Sequence, residues 1–325
     1  VGSDTGGLWT ALLDSSICHS NAWADPDIRA IGHASRWPSS LLVGTRQGWL
    51  YSAGAVGPAT AVSSDASVLA GFGGSINQLH LATHRGEPVW LMATSVGVWW
   101  SLSGFTSGRW IRALDSTGRP AVIAAFSITA IGRSSDPTVV VGLERGTGGT
   151  QVATARFTPQ GLVFDAVATV TSPVPGNTMN VSVCASPLDK NPRRMYLLCF
   201  EDSQDAPASG LFRSDDLGRT WARCAMNTGD AIYGSFTEVA GTQWNGGLFR
   251  HVAIHPTDPH VVAVPGLHTQ VSVDGGANSL TLRGEGFHED SHEVRFANPD
   301  GDMMVIASDG GVLLVEGLTA MIAHG

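Results

Sequence analysis

A chain of 325 residues with 43% hydrophobic side chains can bury a sizeable core, yet only 14% of its residues are charged and its formal net charge is −9. That acidic balance excludes a duplex nucleic-acid binder, which needs a broad basic face, and there is no run of about 18 apolar residues to span a membrane as a helix. The 40 glycines and 16 prolines, with plentiful Val, Ile, Thr and Trp and no long apolar stripe at helical spacing, predict many short strands joined by glycine turns.

Taken in order, the strand-like runs repeat one grammar. The first segment has Ile28 to Gly32, Leu41 to Thr45 and Gly48 to Ser52; the second has Ile76 to His80, Val89 to Thr94 and Gly97 to Ser101. The third has Ile128 to Gly132 and, after Asp136-Pro137, Thr138 to Gly142. The fourth has Val181 to Cys184, Met195 to Cys199 and Gly210 to Ser214. The fifth has Val252 to Pro256, Val261 to Val264 and Thr269 to Ser272; the sixth has Val294 to Pro299, Met303 to Ser308 and Gly311 to Val315. Each is a strand, a Pro/Asp/Asn/Gly turn, a second strand, a glycine turn and a third strand. The repeat of roughly 40 to 55 residues is the period of propeller blades. Residues 227–247 read as an insertion. The count is six, or seven if that insertion hides a divergent repeat.

A second signal is the octapeptide Ser214-Asp215-Asp216-Leu217-Gly218-Arg219-Thr220-Trp221. A short carboxylate caps backbone amides, and glycine accepts φ > 0, so the stretch predicts a tight turn between two strands. Ser272-Val273-Asp274-Gly275-Gly276 repeats its first half, with Asn278-Ser279 where Thr-Trp would stand, and Ser101 to Trp110 is a degenerate copy. Asp4-Thr5-Gly6-Gly7-Leu8-Trp9 matches the second half. These runs resemble the Asp-box (BNR) hairpin of sialidase-like β-propellers. His255-Pro256-Thr257-Asp258-Pro259 and the pair His288 to Val294 with Asp309-Gly310-Gly311-Val312 are similar to stretches of the wider WD40/YVTN/BNR-like group, xyloglucanase-like members included.

The resemblance implies an all-β chain, one β-propeller over residues 1–325 built of six (or seven) four-stranded blades. Residues 1–13 would then supply the outer strand of the last blade and remove its open edge. It also implies an extracellular or secreted carbohydrate-active protein, glycoside-hydrolase-like, with a glycan at the mouth of the central channel. The alternative is a non-catalytic module that binds a glycan or a protein, such as a subunit of a phage tail, virion surface or other surface complex. In that fold the aspartates Asp4, Asp216 and Asp274 are turn staples on the outer rim.

Candidate chemistry must therefore come from other residues. The densest polar cluster is His288, Glu289, Asp290, His292 and Glu293. On an extended strand His288, Asp290 and His292 share one face, and two imidazoles with a carboxylate suit a divalent cation or a water poised for general-base attack. Asp290, His292 and Glu293 are the catalytic candidates; the competing reading is a solvated loop. Arg29, Asn77, Thr129, Asn180 and Arg250 occupy the corresponding repeat positions, so Arg29, Asn77, Asn180 and Arg250 are candidate ligand contacts, with Trp37 and Trp244 in loops as sugar-stacking aromatics. Glycosidase chemistry needs two carboxylates on opposite sides of a sugar, and no spacing selects a pair among Asp25, Glu238, Glu289, Asp290 and Glu293. The sialidase motif Phe/Tyr-Arg-Ile-Pro is missing, which leaves Tyr233 with Glu238 as a formal nucleophile pair only. The cysteines Cys18, Cys184, Cys199 and Cys224 lack zinc spacing; Cys184 and Cys199 flank a predicted hairpin, as a bridge or as two buried thiols.

Overall fold

A computed structural model describes residues 8–11, 18–21, 28–33, 40–46, 48, 50–54, 60–61, 72, 74–102, 110–144, 150–169, 178–189, 193–201, 210–226, 251–266, 268–282, 291–297, 300–308 and 311–320. Its strands form seven antiparallel sheets in chain order, five of them four-stranded. Sheet A pairs β1 (Leu8–Ala11) with β2 (Cys18–Asn21). Sheet B runs through β3 (Ile28–His33), β4 (Ser40–Thr45), β5 (Leu50–Gly54) and β6 (Thr60–Ala61). Sheet C runs through β7 (Ile76–His84), β8 (Glu87–Thr94), β9 (Gly97–Ser101) and β10 (Ile111–Arg112). Sheet D has β11 (Ala125–Arg133), β12 (Asp136–Leu143), β13 (Thr150–Thr158) and β14 (Gly161–Thr169). Sheet E has β15 (Thr178–Ala185), β16 (Met195–Glu201), β17 (Gly210–Ser214) and β18 (Ala222–Arg223). Sheet F has β19 (Ala253–Ile254), β20 (Val262–Val264), β21 (Gln270–Ser272) and β22 (Leu280–Thr281). Sheet G has β23 (Ser291–Phe296), β24 (Met303–Ser308) and β25 (Gly311–Glu316).

Every complete sheet is a meander whose neighbours in sequence are neighbours in space, as the repeated strand-turn-strand grammar demands. Both sheet faces are buried, so the strands read as near-continuous apolar runs: all of Val89 to Thr94 in β8 is buried, as is all of Ala125 to Gly132 in β11. The third segment was the one where only two strands were legible; sheet D supplies β13 and β14 as well.

By compactness the chain divides into two units. One comprises Val1–Thr129, Ser134–Val141 and Thr154–Ala166; the other comprises Ala130–Arg133, Gly142–Ala153 and Val167–Gly325. In the first, sheets B and C pack through Leu42, Leu50, Phe72, Ile76, Trp90, Met92 and Trp110. Trp90, Trp100 and Trp110 are all buried, the packing role expected for tryptophans on strands. In the second, sheets E and F enclose Tyr196, Leu198, Leu211, Val252, Val262 and Val264, and sheets F and G enclose Ala263, Val271, Val294, Met304 and Ile306. Sheet on sheet, each pair closes an apolar core.

First strands of successive sheets lie side by side: β3 beside β7 in the first unit, and β15 beside β19 beside β23 in the second. Polar side chains clasp these rows. Gln78 Oε1 accepts from Ile128 N at 2.6 Å in the first unit, and Ser182 Oγ accepts from Val252 N at 3.1 Å in the second. Buried edge amides left without acceptors would each cost about 1–3 kcal/mol, so these clasps are required by burial itself.

The two aspartate turns have one hydrogen-bond plan. Asp216 accepts from Ser214 Oγ (2.8 Å), Thr220 N (2.8 Å) and Thr220 Oγ1 (2.6 Å), while Gly218 N donates to Ser214 Oγ at 2.8 Å. Asp274 accepts from Ser272 Oγ (2.9 Å), Asn278 N (2.9 Å) and Asn278 Nδ2 (2.7 Å), while Gly276 N donates to Ser272 Oγ at 2.8 Å. Asn278 thus does with an amide what Thr220 does with a hydroxyl. Trp221 closes the first turn by donating from Nε1 to Gly218 O at 3.1 Å. A third carboxylate, Asp115, gathers Thr117 N, Thr117 Oγ1 and Arg119 N in the same way after β10.

Cys184, Cys199 and Cys224 are free thiols. Register puts Cys184 opposite Tyr196 and Cys199 opposite Val181, several rows apart in the β15–β16 ladder. Burial pushes the Cys184 thiol up to about 12, with Arg295 opposing, and pushes Cys199 up as well. Cys18 lies in β2, where the backbone alone is described.

Candidate functional site

The predicted polar cluster falls at the start of β23. Its residues His288, Glu289 and Asp290 lie outside the described residues, as do Arg250, Trp37, Trp244, Asp25, Tyr233 and Glu238. His292 and Glu293 are described, both partly exposed. The backbone around them is irregular. Ser291 pairs with Ser308 and Glu293 with Ala307, so His292 is the extra residue of a β-bulge.

The same irregularity opens the first strand of three other sheets. β3 shifts register between Ile28 and Ala30, β7 between Ile76 and Gln78, and β15 between Thr178 and Asn180. The positions equivalent to His292 are therefore Arg29, Asn77 and Met179. Two of the predicted repeat positions coincide with bulges; in sheet E the bulge falls on Met179, one residue before Asn180. A bulge bends its strand and re-aims one side chain, and such sites gather at rims and next to binding sites.

At two of the four first strands the side-chain chemistry near the bulge is described. In β7, Asn77 is buried; its Nδ2 donates to Ala125 O at 2.8 Å and its Oδ1 accepts from Ser75 Oγ at 2.8 Å. It works as a clasp to the strand alongside. Of Arg29 and Asn180 the strand backbone alone is described. Thr129 is buried.

In β23, Glu293 meets Arg295 NH2 at 2.6 Å, both side chains being about one-third to one-half exposed (33% and 47%). An ion pair so wetted adds about 0–1 kcal/mol. His251, buried just ahead of β19, forms a parallel β-bridge with Glu293. Burial pushes the Glu293 carboxyl up, but the charges of Arg295 and His251 outweigh it and hold the group below the usual carboxylate value. Ser291 ties this end of β23 to the β20–β21 loop: its N–H donates to Gly266 O at 2.8 Å and its hydroxyl accepts from Thr269 Oγ1 at 2.9 Å.

His251, Arg295 and Met179 were not singled out in the sequence. His251 stands next to the chosen Arg250, and Arg295 is two residues beyond Glu293, on its face of the strand; that i, i+2 acid–base pair was the available signal. Among the described residues, no group of three or more His, Cys, Asp or Glu side chains is arranged to hold a metal ion. The proposed ligand set His288, Asp290 and His292 falls outside this statement except for His292.

No protein-family model and no curated protein matches the chain. Solved structures do. "YCF48 bound to D1 peptide" superposes with a TM-score of 0.57 at 13% identity, covering 97% of this chain and 86% of that one. The fold is a β-propeller. The GH74 enzyme of Niastella koreensis matches with a TM-score of 0.55 at 14% identity over 96% of this propeller, which spans about half (49%) of that enzyme's length. KlAtg21, in complex with the coiled coil of AgAtg16, matches with a TM-score of 0.51 at 10% identity, covering 89% of the propeller and 81% of that chain. At such identities the likeness is one of fold. The five four-stranded sheets, B to F, are among its blades.

Proposed function

We propose that this chain is an Asp-box propeller that serves as a binding module, holding an extended protein segment at the bulged end of β23, beside His251. The observation that carries this reading is the Glu293–Arg295 pair beside His251. A carboxyl held ionised by an arginine is a poor general acid, because proton donation at neutral pH needs a raised pKa. A fixed acceptor next to a fixed fork of donors does suit the alternating N–H and C=O groups of a peptide. Fold neighbours described with a peptide and with a coiled coil are in keeping with it. The matching hydrogen-bond plans at Asp216 and Asp274 support the Asp-box assignment.

A second reading is favoured by the likeness to the GH74 enzyme. In it the chain is an extracellular glycan-cleaving propeller, Asp290 acts with His292 and Glu293, and a divalent cation sits at His288, Asp290 and His292. In either reading, the location proposed is the one the sequence resemblance implies, outside a cell or on a virion surface.

One experiment separates them. A displayed library of random 16-residue peptides is selected on the purified chain, and reducing-end release is followed on a panel of soluble β-glucans including xyloglucan. The binding reading expects enriched peptides whose affinity falls at least tenfold in Glu293→Gln or Arg295→Gln, and no glycan turnover. Turnover that Asp290→Ala abolishes, without a change in melting temperature, would overturn it in favour of hydrolysis. Failure to enrich any peptide would also overturn it.

A further inference from the structure

Among the described residues sheet G stops at its third strand, β25, where sheets B to F go on to a fourth. The edge it leaves is apolar: Val312 is 48% exposed and Leu314 39%. An open strand edge presents a row of backbone donors and acceptors ready to pair, and the complete sheets show which strand suits it.

In sheet C the third strand opens on Gly97, and Arg112 of the fourth strand lies over it: a Cβ on Gly97 would stand 2.9 Å from Arg112 Nε. In sheet E the third strand opens on Gly210, and Arg223 of the fourth covers it, with Nε 3.3 Å from such a Cβ. The register is shared as well. Arg112 pairs with Trp99 and Arg223 with Phe212, each two residues beyond the glycine. The residue after each arginine then donates to the strand, Ala113 N to Val98 O and Cys224 N to Leu211 O, both at 2.8 Å. Arg112 is further held by a bond from Nε to Ala121 O at 3.1 Å and by its place over the Trp99 ring, 5.7 Å from the centroid. Where the glycine is replaced the arginine is too: in sheet F, His268 stands in the glycine's place and Thr281 in the arginine's, with Leu282 N donating to Thr269 O at 2.9 Å in the same register. In sheet B the backbone of Gly74 lies over Gly48 instead.

β25 opens on Gly311, and the turn before it follows that of sheet C: Ser308 Oγ donates to Gly311 O at 3.4 Å as Thr94 Oγ1 does to Gly97 O at 2.8 Å. A Cβ on Gly311, however, would meet no described atom within 4 Å. Leu313 and Leu314 stand where Trp99 and Trp100 do, and Val312 O stands where Val98 O does. β25 has no basic residue of its own, so a second copy pairing edge to edge brings nothing to Gly311. Residues 8–11, the outer strand expected from the sequence, pair with β2 and carry Ala11 where the aspartate-turn register puts Arg223.

We propose that the β25 edge takes up an extended segment of a partner protein in which an aliphatic residue precedes an arginine, added antiparallel as the fourth strand of sheet G. The arginine pairs with Leu313 and lies over Gly311, and the aliphatic residue pairs with Leu314 as Ile111 does with Trp100. Three residues before the arginine the segment faces Glu316, where a lysine complements the carboxylate. Main-chain bonds supply the affinity and the arginine selects the segment. This edge is the opposite one from β23, and the proposal stands whether or not the binding reading there holds.

A fluorescein-labelled decapeptide with Lys-Thr-Ile-Arg at its centre, titrated onto the full chain by anisotropy, tests it, with amide hydrogen exchange on the free and bound chain. Saturable binding is expected, weaker by about tenfold or more when the peptide's arginine is replaced by alanine or when the chain carries Leu314→Lys, together with a rise in protection over residues 312–316. No saturation by about 1 mM peptide, equal binding of the arginine and alanine peptides, or protection that rises at β23 in place of β25 would overturn the proposal. So would a free chain whose 312–316 amides are already protected, because the edge is then held by the chain itself or, where the protection grows with concentration, by a second copy. Leu314 is exposed, so lysine has room there; should that variant not fold, the alanine peptide carries the comparison.

Discussion

Gly276 sits at φ 88°, in the left-handed region that glycine enters freely and alanine does not. A Cβ added there would stand 2.5 Å from Cys224 Sγ and 2.8 Å from its Cβ. Both penalties act at once, so Gly276→Ala is expected to lower stability by about 1–3 kcal/mol, read as a shift in the urea midpoint; an unchanged midpoint would mean that Cys224 gives way freely. Its partner in the other turn, Gly218, has φ 82° and open space by comparison, with Met195 Sδ and Trp221 no nearer than 3.6 Å. The residue before each shows the same demand met differently: Gly275 lies at φ 77° and Leu217 at φ 66°. Leucine bears a strain at that position which its counterpart avoids. A Cβ on Gly275 would stand 2.9 Å from both Arg194 NH1 and Arg213 NH1, so both guanidiniums would have to shift to admit it.

Among the elements, the aspartate turns are expected to respond to acid. Burial works against the Asp274 carboxylate, but the Asn278 amides and the Ser272 hydroxyl outweigh it and bring the group down to about 2. A depressed carboxylate stabilises the folded state above its unfolded value of 3.8, and that contribution is lost as pH falls through about 2. Acid unfolding followed by near-ultraviolet circular dichroism is therefore expected to steepen between pH 4 and 2, and Asp274→Asn to flatten that part of the curve. An identical curve for the variant would place the acid sensitivity elsewhere. The turn was legible in the sequence because every bond it makes lies within a few residues. Asn278 shows the limit of that legibility: the motif asks for threonine, while the geometry asks only for a donor at this distance.

For the molecule as a whole, the core formed where apolar runs and glycine turns said it would, since a strand buried on both faces has nothing else to show. The thiols report on that core. Cys184 and Cys199 are expected to resist iodoacetamide in the native protein and to react once it is unfolded in guanidinium, mapped by mass spectrometry; native modification would mean that sheet E opens far more readily than its packing implies. The site was less legible. Glu293 could be picked from its cluster, but its bridge joins β23 to His251, which lies ahead of β19, and no local pattern encodes which residue of one sheet meets which of the next. The one-residue offset from Asn180 to Met179 has the same origin, because register is settled by the partner strand.

Those register slips carry a consequence for how such a chain changes over generations. In a regular ladder a substitution must respect the inside-outside alternation of its strand. The residue inserted at a bulge stands outside that alternation: Ile28 pairs with Thr45 and Ala30 with Gly44 around Arg29, just as Ser291 pairs with Ser308 and Glu293 with Ala307 around His292. Arginine, asparagine, methionine and histidine fill four such places in one chain. At Asn77 the inserted side chain is itself a buried clasp to Ala125 O, so new recognition properties are within reach of a single substitution only at such a place where the inserted residue holds no neighbour.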